Sequence, residues 1–166
     1  MHALKRLSAA AVPAALEKAH RYRLLNEPSD AESICRDVLA VDPQNQEALV
    51  TLVLALSDQL EERMAAAYDE GLALLRQLAD DYRRQYYAGI LCERRAKAQR
   101  RRGGMRAAHA VYDWFRRAME HYEKAIALAP AANQEAILRW NACARVLDAH
   151  PELQPETEDT FRPLLE

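Results

Sequence analysis

Residues 92–106, CERRAKAQRRRGGMR, carry seven basic side chains and one acid. The cations are Arg94, Arg95, Lys97, Arg100, Arg101, Arg102 and Arg106. Guanidinium and ammonium groups at this density suit two kinds of chemistry: binding phosphate, where each contact releases a condensed counterion, or docking to an acidic protein surface. The aromatic interleaving that grips single strands by stacking is absent around them, and no nucleic-acid-binding module is readable in the chain. Arginine is also a good helix former. The run therefore reads as well as the solvated part of a helix, paired in places with Glu or Asp from the rest of the molecule.

Other residues of chemical interest are sparse. His109 and Asp113 are one helical turn apart and His121 is on a nearby face, a spacing at which a metal could be held. Five histidines scattered over 166 residues will often put one beside an acid by chance, so neither a metal nor a cofactor is expected. There is no glycine-rich phosphate loop, no GxSxG, no HExxH and no paired Cys and His, so the chain is read as non-enzymatic, with no catalytic residues. Cys35, Cys92 and Cys143 are odd in number and each alone, which gives no disulfide framework and fits a reducing cytoplasm. Arg outnumbers Lys nineteen to four, and the Ala content is high, a bias that suggests a GC-rich bacterial genome.

These side chains need elements to position them, and the composition points to helices. Half of the residues are hydrophobic, with four Gly and seven Pro, and Ala, Leu, Glu and Arg dominate over the β-branched residues that strands prefer. The expected fold class is all-α. In AAVPAALEKAHRYRLLNEPSDAESICRDVLAVDPQNQEALV the helical period runs from about Pro13 to Leu25, breaks at NEPSD, resumes over Ala31–Val41, breaks at DPQN and resumes at Gln46. Ser29 or Asp30 is expected to cap the second helix and Asn45 the third. The Ala-rich start reads as a helix rather than a signal peptide, since Pro13 and Glu17 interrupt it. No run of eighteen apolar residues exists, so no membrane contact is expected.

The arrangement resembles the tetratricopeptide repeat, whose unit is a helix pair with small, aromatic and closing-proline positions. In the first unit these fall on Ala19, Tyr22, Ala31, Cys35, Val38 and Pro43, with Ala15 and Lys18 where the pattern has Trp and Leu. In the second they fall on Leu49, Leu52, Val53, Leu56, Ala67, Gly71 and Leu74. In the third they are Gly89, Ala118, Tyr122, Ala125 and Pro130. The resemblance implies repeats at about 12–45, 46–81 and 82–132 and a capping helix over 133–149, together a domain of residues 1–149 followed by an acidic, Pro-containing tail, 150–166, in which Phe161, Leu164 and Leu165 are candidate anchors. It further implies about seven helices stacked as a right-handed superhelix, with a protein or peptide bound in a concave groove. By repeat register that groove would take Leu16, His20, Arg23, Val50, Leu54, Tyr86, Ile90, Leu138 and Arg145. The role so implied is an interaction module or scaffold, with self-association among its expected contacts. The alternative is nucleic-acid binding through the basic run.

The two echoes PQNQEAL and PAANQEAI place Asn45 and Asn133 twenty residues further apart than two 34-residue repeats allow. Two of the extra residues fall between Val53 and Ala67, one between Pro130 and Asn133, and seventeen between Gly89 and Ala118. Only Gly103-Gly104 can reverse the chain there, so two long helices are predicted, about 82–101 and 105–129, with Trp114, Phe115 and Met119 as hairpin and repeat core. Residues 83–106 carry net charge +8, against -6 before and -4 after. The expectation is a basic helical arm, mobile toward its tip, on an acidic body.

Overall fold

The computed structural model describes residues 2–104 and 107–155. Among them are seven α-helices and no strand: α1 (Val12–Leu24), α2 (Pro28–Val41), α3 (Gln46–Asp58), α4 (Leu60–Leu75), α5 (Asp81–Arg102), α6 (Ala107–Leu128) and α7 (Glu135–Ala149). None of these helices is long and apolar enough to cross a membrane.

The helix ends follow from local chemistry. Asn26 closes α1 in the left-handed region at φ 61, a conformation that asparagine tolerates, and the Glu27 amide reaches back to the Tyr22 carbonyl at 2.9 Å. Ser29 and Asp30 do not cap α2. The helix starts three residues before Ala31, at Pro28, whose fixed φ suits a first turn and whose missing N–H would have had no partner there. Asn45 does cap α3, its Oδ1 accepting from the Ala48 amide at 2.9 Å, and Asp80 caps α5 by accepting from the Arg83 amide at 2.7 Å.

Each helix packs against the next in sequence, and α1 also packs on α3 and α3 on α5. Three successive hairpins thus stand side by side, with α7 laid against α6. The small residues of the sequence pattern make this approach possible. Ala19, Ala31, Ala67, Ala118 and Ala125 are fully buried among Leu49, Leu52, Val53, Leu56, Phe115 and Tyr122, where close packing of apolar surface supplies the main favourable term in folding. The two surplus residues between Val53 and Ala67 have a visible destination. Gln59 alone separates α3 from α4, and Arg63 leaves helical geometry at φ -126, ψ 43, so the start of α4 forms a kinked turn that projects Glu61 toward α5.

The long hairpin runs antiparallel, since Gln85 meets His121, Glu93 meets Tyr122 and Arg95 meets Trp114. Gly103 and Gly104 both take positive φ at its end, 68 and 118, which only glycine adopts without strain. The outer part of the hairpin, predicted as an arm, makes contacts with the rest of the molecule. Ala96, Ala98 and Val111 are buried, Arg101 pairs with the Glu61 carboxylate, and Arg102 donates to the Glu61 carbonyl. On the other side the chain after α7 folds back across the hairpin: His109 Nδ1 donates to the Gln154 carbonyl at 2.8 Å, Arg100 reaches His150 Nε2 at 2.8 Å, and Leu153 is buried. Neither contact was visible to periodicity, because both come from irregular segments. Arg106, Phe161, Leu164 and Leu165 lie outside the described residues.

Candidate functional site

A cleft of about 610 Å³ opens where the end of α3 and the kinked start of α4 face α5 and α7. One wall carries Ser57, Asp58, Gln59, Glu61 and Glu62; the other carries Arg94, Lys97, Arg101 and Arg139. Three cations of the basic run thus line a wall of this cleft. Asp58 is shared by Arg94 and by Arg23, whose Nε donates to Asp58 Oδ2 at 2.8 Å. Arg94 also donates to Ser57 Oγ at 2.6 Å. Burial pulls the Arg94 guanidinium below its ordinary value, and the Asp58 carboxylate opposes that shift.

Beneath the cleft sits Glu93, the lone acid of residues 83–106, with 1% of its surface exposed. Its Oε2 accepts from the Tyr122 hydroxyl at 2.6 Å, while Oε1 accepts from Lys97 and, at 3.3 Å, from Arg139. Burial, and then the adjacent carboxylate, push the Tyr122 phenol far above its usual range, so it remains a donor. One buried anion thus fixes two cations that line the cleft, one from α5 and one from α7. A desolvated carboxylate survives only with such partners.

Beside the cleft, Val50 and Leu54 of α3 and Tyr86 and Tyr87 of α5 are half-buried and packed on the core. Tyr82 stacks on Tyr86 at 5.7 Å between ring centres, and Tyr86 meets Tyr87 edge-on at 5.2 Å. Of the residues expected in the groove, Leu16 and Ile90 are corrected: they are core side chains, 4% and 2% exposed. Their apolar character, which suggested a binding surface, is spent on packing against neighbouring helices. His20 is partly exposed and bonds Glu47 at 2.9 Å, and Arg23 is held by Asp58. Leu138 and Arg145 are exposed on α7, and Arg145 joins no ion pair among the described residues. Asp58, Tyr87, Glu93 and Arg139 escaped sequence reasoning. Only Glu93 carried a signal, as a single acid in a basic helix.

All three cysteines are buried, and burial pushes the thiols of Cys35 and Cys143 up to about 12. No group of three or more metal-ligating side chains occurs among the described residues, and His109 is engaged by Gln154.

A second polar network joins α2 to α4. Glu32, 8% exposed, accepts from Arg36, from Gln59 Nε2 at 2.7 Å and from Arg63 at 3.3 Å, while Arg36 also pairs with Glu70 at 2.7 Å. Burial raises the Glu32 carboxyl, but the hydrogen bonds from Arg36 and Gln59 and the charges of Arg36 and Arg63 outweigh it, and the net shift is downward. A carboxyl lowered by folding adds stability that is complete above the unfolded glutamate value, about 4.3, and is lost as pH falls through the lower folded value. Urea midpoints are expected to drop between pH 5 and pH 3, and Glu32→Gln is expected to reduce that drop. An equal drop in the variant would remove Glu32 from the acid response.

No protein-family model matches the chain, and no curated protein matches it in sequence.

Proposed function

We propose that this protein is a non-enzymatic interaction module, a tetratricopeptide-like array of helical hairpins that binds a peptide or short helix on the face formed by α1, α3, α5 and α7. The observation that carries this reading is the adjacency of two surfaces: half-buried Val50, Leu54, Tyr86 and Tyr87, and the charged cleft lined by Asp58, Arg94, Lys97 and Arg139. Tyrosine and arginine, held rigid by neighbours, are the residue types that anchor partners at small energetic centres of interfaces. Their rotamers are already restrained here, Tyr86 by Tyr82 and Tyr87, Arg139 by Glu93, so little ordering remains to be done on binding. Both signs of charge line the cleft, which favours a ligand with an apolar stripe flanked by acidic and basic residues.

Three cations of the basic run, Arg94, Lys97 and Arg101, belong to this same site. With Arg94, Lys97 and Arg101 each paired to a carboxylate, releasing them to phosphates would break existing ion pairs. This weighs against nucleic acid as the principal ligand.

The test is selection of a peptide from a random library on the purified protein, followed by fluorescence anisotropy. Leu54→Glu is expected to weaken the selected peptide at least tenfold, about 1.4 kcal/mol, with the helical circular dichroism unchanged. Undiminished affinity would refute the assignment of this face.

A further inference from the structure

Arg95 stands apart from the other described cations of the basic run, each of which has a polar partner. Arg95 forms neither an ion pair nor a side-chain hydrogen bond among the described residues, and its Nε is buried without a partner. Its guanidinium carbon is instead held 4.5 Å from the ring centre of Tyr68 on α4 and 4.1 Å from that of Trp114 on α6. Those two rings meet edge to face at 5.1 Å, forming a corner into which the guanidinium fits. A second cation shares the indole: Arg117 lies 4.7 Å from the Trp114 ring centre. Asp113 and Glu120, the nearest acids along α6, and Asp69 on α4 make no ion pair with either arginine.

Two like charges thus share one ring, and neither is within ion-pair distance of a carboxylate among the described residues. Stacking leaves the edge of a guanidinium, with its forked N–H donors, free to meet a planar or tetrahedral oxyanion. Among the described residues neither Arg95 Nη is bonded and neither is fully buried, so that edge retains some exposure. The aromatic corner fixes its orientation in advance, as a built binding site requires. This place lies across α4, α5 and α6, away from the cleft residues of α3 and α7.

We infer that Arg95 and Arg117, posed on Trp114 and Tyr68, form an oxyanion-binding site that takes the carboxylate or phosphate group of an acidic or phosphorylated peptide. The inference stands independently of the face proposed above for peptide binding, since it uses none of the same side chains.

The protein contains two tryptophans, so Trp140→Phe leaves Trp114 as the reporter. In that background, fluorescence is followed at low ionic strength while a hexaglutamate peptide, a phosphoserine peptide, inorganic phosphate or a hexaglutamine control is added. A saturable change with one or both anionic peptides, none with hexaglutamine, and a midpoint that rises with salt is the expected result; which peptide acts separates carboxylate from phosphate. Arg117→Met, at an exposed position, is expected to raise the midpoint at least tenfold with the fold retained, and Arg95→Met at least as much. No saturable change, a response to inorganic phosphate alone, or midpoints unchanged in Arg117→Met would overturn the inference.

Discussion

Replacing Glu93 by alanine is expected to lower folding stability by about 3–5 kcal/mol, the usual cost of leaving buried ionic partners uncompensated. The carboxylate ties three helices together: its own α5, α6 through Tyr122 and α7 through Arg139. Without it the Tyr122 hydroxyl is buried with no acceptor, and Lys97 and Arg139 face each other with no anion between them. Glu93→Gln keeps the shape and an oxygen acceptor but removes the charge, so it is expected to lose less than alanine. Urea denaturation of the three proteins measures both differences. A loss below about 1 kcal/mol in the alanine variant, the scale of a surface pair, would mean that Glu93 does not hold α7 in place. The cleft should respond in the same variants, because Lys97 and Arg139 line it.

The second large effect belongs to a position with no side chain. A Cβ added at Gly89 would overlap Tyr122 Cε1 and stand 2.6 Å from Cδ1. The ring is fully buried and anchored by its bond to Glu93, so it has nowhere to retreat. Gly89→Ala is expected to cost on the order of 3 kcal/mol, the upper part of the range for overpacking, although alanine favours helix over glycine by about 1 kcal/mol. Tyr122→Leu costs stability of its own, yet combined with Gly89→Ala it is expected to lose clearly less than the two changes separately, since the smaller side chain removes the ring that the added methyl meets. Strict additivity in thermal or urea unfolding would deny that Gly89 and Tyr122 form one packing unit.

Gly89 and Tyr122 also show what a sequence can reveal. Both stood at pattern positions, and the pattern exists because a small residue must face a large one where two helices touch. The same logic made Ala19, Ala31, Ala67, Ala118 and Ala125 legible, and breaker residues located the reversal at Gly103-Gly104. Helix period and turn chemistry are local properties, readable within a few turns. The ion pairs were not. Asp58 with Arg94, Glu61 with Arg101 and Glu93 with Arg139 join residues 36, 40 and 46 positions apart, and nothing in the spacing of a charge says which distant charge it will meet. For that reason the basic run read as a free arm when most of its cations were already engaged. Leu16 and Ile90 failed for a related cause: an apolar residue on a helix suits a core and a groove equally until its neighbours are known.

The claim that most needs a direct test is that α1, α3, α5 and α7 present the binding face. Labelled protein titrated with a library-selected peptide, and followed by two-dimensional amide NMR, measures this residue by residue. The largest shifts are predicted around Val50, Leu54, Tyr86, Tyr87 and Arg139. Shifts confined to α2, α4 and α6 would contradict the account.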